Sequence, residues 1–172
     1  MKRCFVLLAM LCFALTFVCI ASADTIAISF SGATDSLTGT LYATNNLDGT
    51  WTVTGINAIY DGITVTTIIP TGTDPHFVYD NLYYYPPNPT YFDNAGLLFD
   101  VPTVGEVNLC YTGAAPCGNA GYTFIVWDGN AYTFNSVTSY SFGAPIPEPS
   151  SLLLMGSGLL AACGAVRRRF IR

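Results

Sequence analysis

Residues 48–69 read DGTWTVTGINAIYDGITVTTII, and this stretch decides the fold class. Within residues 50–54 polar and apolar residues alternate strictly, which places Trp51 and Val53 on one face of a strand and three threonines on the other. Asp-Gly pairs at 48–49 and 61–62 bound the run, and Asp-Gly is the chemistry of tight hairpin turns. The stretch therefore predicts antiparallel strands joined by short turns.

Similar short runs, rich in Thr, Tyr, Val and Ile, continue on both sides and are separated by Gly, Asp, Asn and Pro. No internal segment has the period of a helix. Regularly spaced short strands favour an all-β fold, here an antiparallel β-sandwich or jelly-roll-like domain over residues 24–144. The predicted strands are 25–31, 37–44, 50–59, 63–69, 77–84, 96–101, 105–111, 121–127 and 131–141.

The charges separate this domain from the two ends of the chain. No lysine or arginine occurs between Arg3 and Arg167, and all 11 acidic residues lie in that interval. Binding to a phosphate backbone requires a cluster of basic side chains, so the sequence predicts no nucleic-acid partner.

The N-terminal end has the pattern of a secretory signal peptide. Lys2 and Arg3 precede a mainly apolar run over residues 4–20, and Ala21-Ser22-Ala23 supplies the small residues that signal peptidase requires. This predicts a signal helix in residues 1–23, with signal peptidase and the export machinery as partners. An uncleaved N-terminal anchor is the alternative.

The C-terminal end has the pattern of a membrane anchor. Residues 150–166 carry no charge and precede Arg167, Arg168 and Arg169. A helix of this length spans about 25 Å, slightly less than a hydrocarbon core of about 30 Å. The arginines would act as a cytoplasmic stop-transfer signal, so residues 150–172 are predicted to form a transmembrane anchor. Residues 145–149 contain three alternating prolines and are predicted to be an extended, solvated linker.

Pro147-Glu148-Pro149, the apolar segment and the arginine cluster together resemble the PEP-CTERM sorting signal of Gram-negative bacteria. The resemblance covers residues 145–172. It implies that an exosortase recognises Pro147, Glu148 and Pro149 while the apolar helix holds the chain transiently in the inner membrane, before display at the cell surface or release. It also implies an association with exopolysaccharide or biofilm matrix. A permanent membrane anchor remains the alternative.

Only two cysteines, Cys110 and Cys117, lie in the predicted domain. In an oxidising compartment they are predicted to form a disulfide that closes a short loop. Metal ligation by this pair would need further cysteines or histidines, and the sole histidine, His76, cannot complete such a site alone. The sequence therefore predicts no metal site and no cofactor.

Three functions remain to be compared. Catalysis is the weakest, because one histidine and no internal Lys or Arg leave few acid–base groups. A glycoside hydrolase would have to use carboxylates such as Asp80, Asp93, Asp100 and Glu106, and we predict that the chain is a substrate of the sorting enzyme and has no catalytic residue.

The second function is carbohydrate binding through exposed aromatic side chains, for which the candidates are Tyr83, Tyr84, Tyr85 and Tyr91. The third is a structural role at the cell surface or in an extracellular matrix. Low charge, Thr- and Tyr-rich strands and the sorting tail favour the third.

Overall fold

The structure is a computed structural model that describes residues 23–87, 90–112, 121–147 and 158. Residues Ala23–Ile146 form one compact unit. The strands are β1 (Ala23–Gly32), β2 (Ser36–Asn45), β3 (Thr50–Tyr60), β4 (Ile63–Val65), β5 (Thr67–Ile68), β6 (Leu82–Tyr84), β7 (Leu97–Val101), β8 (Gly105–Thr112), β9 (Gly121–Trp127), β10 (Tyr132–Phe142) and β11 (Ile146–Pro147).

All of these strands belong to one sheet with the order β4-β3-β2-β1-β10-β9-β8-β7-β5, in which β6 also pairs with β3 and β11 with β1. The pairs for which a register is defined are antiparallel. The chain passes directly from β4, at one end of this order, to β5, at the other end. The sheet therefore nearly closes on itself and is barrel-like, which confirms the all-β, antiparallel prediction.

The pairing of β1 with β10 joins two meanders that are far apart in sequence. The second half of β10 pairs with β1, as in Phe142 opposite Ile28. Its first half pairs with β9, as in Tyr132 opposite Trp127. β10 therefore joins two groups of antiparallel strands, β1–β4 and β7–β9. We call these groups the two hairpin stacks.

The stretch that predicts the fold behaves in the structure as expected. Trp51 and Val53 are buried on the inner face of β3, and Thr54 on the other face is exposed. Asp61 and Gly62 both adopt positive φ, 47° and 83°, which is the backbone of a type I′ hairpin turn between β3 and β4. A type I′ turn matches the twist of the strands that it joins, so this turn fixes their register.

The main core lies inside the barrel and is rich in aromatic rings. Phe30 contacts Phe124 and Tyr122 in edge-to-face geometry, with ring centroids 6.2 and 5.4 Å apart. Tyr60, on β3, packs edge-to-face on Phe124 and donates a short hydrogen bond to the carboxylate of Asp35. Aromatic pairs of this kind add to the stabilisation from burial alone.

The predicted strand over residues 77–84 is too long, because only Leu82–Tyr84 is a strand. Asn81 adopts a positive φ of 56°, which lies outside the β region of backbone angles and interrupts a regular strand. Its side chain donates to the carbonyl of Ile69 and accepts from the amide of Leu98, at 2.8 and 2.9 Å. Asn81 therefore anchors residues 70–81 as an irregular segment. The predicted strand 63–69 is likewise divided, into β4 and β5.

Residues 143–146, which lead to the predicted linker and tail, are hydrogen-bonded to β1. The amide of Gly143 donates to the carbonyl of Ala27 at 2.7 Å, and Thr25 Oγ1 donates to the carbonyl of Ile146 at 3.4 Å. Residues 143–146 thus run beside the part of β1 that precedes its pairing with β10.

The predicted signal helix and tail helix lie outside the described residues, apart from Ala23 in β1 and Gly158, which is helical. In the portion of the chain that the structure describes, we find no helix of sufficient length and apolarity to traverse a membrane.

Candidate functional site

Residues 70–81 lie against the face of β8 and β9 that points away from the main core. Phe77 packs there on Cys110 and Ile125, which form a small second apolar cluster. Val107 and Leu109, on the opposite face of β8, belong to the main core. The irregular segment therefore covers part of the outer face of the sheet and brings its polar side chains to β8.

His76 is held on this outer face by contacts on three sides. Its ring stacks on Trp127, with centroids 4.8 Å apart and an interplanar angle of 28°. Its carbonyl accepts a hydrogen bond from the hydroxyl of Tyr132 at 2.7 Å. Its amide donates to Asp74 Oδ1 at 2.8 Å. The position of the imidazole is thus fixed by β9, β10 and the segment itself.

The imidazole faces two carboxylates. His76 Nδ1 lies 3.5 Å from Asp74 Oδ2 and 3.2 Å from Glu106 Oε2, and the three ligand-type atoms all lie within 4.8 Å of one another. The side chain of Asp74 is only 5% exposed, whereas those of His76 and Glu106 are 38% and 26% exposed. We call Asp74, His76 and Glu106 the outer-face triad.

The two carboxylates of the triad compete for one proton. Burial, a hydrogen bond to Asp74 and repulsion by its charge raise the pKa of Glu106, and His76 offsets part of this rise. Burial alone would also raise the pKa of Asp74, but hydrogen bonds from the His76 backbone, from Glu106 and from the Phe77 backbone outweigh it and lower that pKa. The pair therefore behaves as one acid that is easily deprotonated and one that holds its proton longer.

A cavity of about 310 Å³ opens beside His76. Its walls combine apolar and aromatic side chains with three polar ones, and the lining residues are His76, Phe77, Val78, Asn94, Asn108, Ile125, Tyr132 and Phe134. Tyr132 and Phe134 are 42% and 48% exposed. Asn108 is only 2% exposed, and its Oδ1 has no hydrogen-bond partner among the described residues. The cavity thus offers aromatic surface together with polar side chains.

The tyrosines that the sequence suggested as carbohydrate contacts are divided between core and surface. Tyr83 is fully buried, and its hydroxyl donates to the carbonyl of Gly143 at 3.0 Å. Tyr85 and Tyr91 are half-buried and pack against the main core. Tyr84 is half-buried on the other face, where its hydroxyl donates to Asp93 at 3.2 Å, and burial together with nearby carboxylates raises its pKa to about 12. The ring of Tyr83 is thus unavailable to a ligand, and the other three remain candidates.

Of the four carboxylates that the sequence offers for glycoside hydrolysis, three have local structural partners or lie at the surface. Asp93 Oδ1 accepts from the amides of Ala95 and Gly96, which is turn chemistry. Asp80 Oδ1 accepts from the amide of Leu82. Asp100 is exposed and lies opposite Glu106 in the β7–β8 register. The fourth, Glu106, is the one that the structure places in the triad.

The predicted processing residues lie mostly outside the described residues. Ala21, Glu148, Pro149, Cys117 and the arginines at 167–169 are among those outside. Ala23 is the first residue of β1, and Pro147 is the last residue of β11. Asp24, the predicted first residue after cleavage, is buried and accepts a hydrogen bond from Trp51 Nε1 at 2.7 Å. Cys110 is fully buried in β8, and its predicted disulfide to Cys117 stays a prediction.

A family model for the PEP-CTERM protein-sorting motif matches residues 145–169. The chain carries a PEP-CTERM sorting motif. No curated protein and no solved structure matches the chain significantly. The PEP-CTERM motif shows that the protein is exported, is anchored in the membrane before processing by an exosortase, and then reaches the cell surface.

The β domain of this PEP-CTERM protein contains a cluster that sequence reasoning missed. The sequence indicates His76 only as an insufficient partner for the two cysteines, and Glu106 only as one of several separate carboxylates. A faint local signal exists in Asp74-Pro75-His76, where an Asp two residues before a His can cap its amide. No pattern in the neighbouring sequence indicates that β8 places Glu106 beside His76.

Proposed function

We propose that the chain is an exported structural protein of the cell surface or extracellular matrix, associated with exopolysaccharide or biofilm, and that it is not itself catalytic. The observation that carries this proposal is the PEP-CTERM motif directly following a compact β domain. In this proposal residues 1–23 are a cleaved signal peptide, with Ala21 and Ala23 at the signal peptidase site. Residues 24–144 are the displayed domain, and residues 145–149 carry the recognition element for the exosortase. Residues 150–172 are the membrane anchor with its cytoplasmic arginines.

The sorting step is tested by replacing Pro147, Glu148 and Pro149 with alanine in a Gram-negative host that carries an exosortase. We expect the full-length, membrane-bound form to accumulate, because the enzyme loses its recognition element. Pro145→Ala is the matched control, since it removes a neighbouring proline and leaves the motif intact. Immunoblots of membrane and surface fractions measure the outcome. Unchanged processing of the triple variant would contradict the assigned role of the motif.

A second candidate function is carbohydrate binding, and one observation favours it. Exposed rings of Tyr132 and Phe134 border the cavity, next to Trp127, and flat aromatic surface with a few polar groups is typical of ligand sites. Pulldown with exopolysaccharide from the producing strain tests it. Tyr132→Ala or Phe134→Ala should abolish retention if the cavity binds, whereas loss in Tyr85→Ala or Tyr91→Ala would point to the other aromatic group.

Glycoside hydrolysis remains the weakest of the three functions. The ligand-type oxygens of Asp74 and Glu106 lie within 4.8 Å of each other, whereas the carboxyl groups are about 5–5.5 Å apart in retaining enzymes and about 6.5–9.5 Å apart in inverting ones. Release of reducing sugar from the same polysaccharide would contradict the non-catalytic assignment.

A further inference from the structure

We propose that the outer-face triad, Asp74, His76 and Glu106, is a binding site for a divalent transition-metal ion of the zinc type. The site is distinct from the sorting motif, and the proposal does not depend on the structural or carbohydrate-binding role of the domain.

The spacing of the ligand-type atoms is the first argument. A tetrahedral ion with bonds of about 2.0–2.2 Å to nitrogen and oxygen holds its ligand atoms about 3.3–3.6 Å apart. His76 Nδ1 lies 3.5 Å from Asp74 Oδ2 and 3.2 Å from Glu106 Oε2. Two of the three separations are therefore already within about 0.1 Å of those in a tetrahedral coordination shell. The third, between the two carboxylate oxygens, is at most 4.8 Å, so binding requires these oxygens to approach each other by at most about 1.5 Å.

The second argument is that contacts outside the triad orient its ligands. Asp74 Oδ1 accepts from the amides of His76 and Phe77, at 2.8 and 3.0 Å, which leaves Oδ2 facing the imidazole. The ring of His76 is held against Trp127, and Glu106 projects from a strand that is paired on both sides. Ligands fixed by such surrounding contacts lose little entropy when they bind an ion.

The third argument is that the imidazole of the triad borders a cavity. His76 lines the cavity of about 310 Å³ together with Phe77 and Tyr132, and 38% of its side chain is exposed. An ion at the triad is therefore within reach of solvent and can keep a water molecule as its fourth ligand, as zinc sites with three protein ligands do.

Charge and ligand type decide the class of ion. The ligand-type oxygens of two carboxylates lie within 4.8 Å of each other in a domain whose sequence contains no lysine or arginine, so no permanently cationic side chain of the domain balances them. A dication would balance both. One imidazole nitrogen with two carboxylate oxygens suits zinc, whereas calcium and magnesium prefer oxygen ligands alone.

The test uses the full-length protein, purified in detergent and freed of metal with a chelator. Zn²⁺ binding is measured by calorimetry, and Trp127 supplies a second readout because its fluorescence should change when the stacked imidazole binds an ion. We expect one Zn²⁺ site whose affinity falls at least tenfold in Glu106→Gln and in His76→Gln. Excess Ca²⁺ or Mg²⁺ should not displace the ion.

Asp48→Asn is the matched control, because Asp48 is an exposed carboxylate outside the triad, in the turn between β2 and β3. It should change the affinity less than twofold. Near-ultraviolet circular dichroism checks that each variant keeps its tertiary structure, and Co²⁺ provides an independent probe, since cysteine ligation would produce a thiolate charge-transfer band. Absence of Zn²⁺ binding, equal affinity in wild type and both triad variants, or a thiolate band on the bound Co²⁺ would each overturn the proposal.

Discussion

Replacement of Tyr83 is the sharpest test of how the domain is held together. Its side chain is fully buried, and its ring lies 5.7–5.8 Å from the rings of Tyr91, Phe92 and Phe142. Truncation to alanine removes these contacts and leaves a cavity, which costs about 3–5 kcal/mol for a buried aromatic residue. In a domain of this size that corresponds to a fall of about 12–20 °C in Tm.

Tyr83→Phe separates the ring from its hydroxyl. This variant keeps the aromatic packing and loses only the 3.0 Å hydrogen bond to the carbonyl of Gly143. Gly143 is half-buried, so water can replace the lost donor, and the expected cost is about 1 kcal/mol. Val78→Ala is the surface control, because Val78 is 88% exposed and should change stability by less than about 0.5 kcal/mol.

The free energy of unfolding is measured by urea titration followed by circular dichroism, together with Tm from thermal scans. The expected order of stability is Val78→Ala, then Tyr83→Phe, then Tyr83→Ala, with at least about 2 kcal/mol between the last two. If the free energy of unfolding of Tyr83→Ala lies within about 1 kcal/mol of the wild-type value, the reasoning that places this ring in the core is refuted.

Three further predictions concern backbone packing, a turn carboxylate and the cysteines. Gly39→Ala should lower the free energy of unfolding, measured by urea titration, by about 1–3 kcal/mol, because the new Cβ would lie 2.4 Å from Ala58 Cα. Gly55→Ala is the control and should be nearly neutral, because its Cβ would meet only the side chain of Tyr42, at 3.3 Å. Hydrogen bonds from the Thr50 side chain and backbone lower the pKa of Asp48 below 3.8, so wild type should be more stable than Asp48→Asn above that pH. That advantage should disappear as the pH falls through the lowered pKa, and a difference independent of pH would contradict the assignment. Cys117→Ala should cost about 2–3 kcal/mol through loss of the predicted disulfide and should leave the Cys110 thiol free. Because Cys110 is fully buried, thiols are labelled in the unfolded protein before reduction, and equal labelling of wild type and variant would contradict the disulfide.

The alternation of residues along the chain was sufficient to predict most of the strands. Trp51 and Val53 alternate with threonines, and a strand requires only this local period of two, which no distant contact needs to supply. Asp61-Gly62 likewise forms its turn through local backbone preference. Where a distant contact overrides the local pattern the prediction failed, as at Asn81, whose bonds to Ile69 and Leu98 end the strand expected over residues 77–84.

The sequence by itself determined the all-β class, the hairpin turns and the sorting tail, because each is written in a short, contiguous pattern. The tertiary structure alone decided that Tyr83 packs inside the barrel while Tyr84 faces the other way. It also decided that β10 joins the two hairpin stacks and that Asp74 and His76 meet Glu106, 30 residues further along the chain from the imidazole. Such meetings depend on how a sheet closes and which of its faces a long segment covers. Those choices are set by the summed packing of many residues, and no local spacing encodes them.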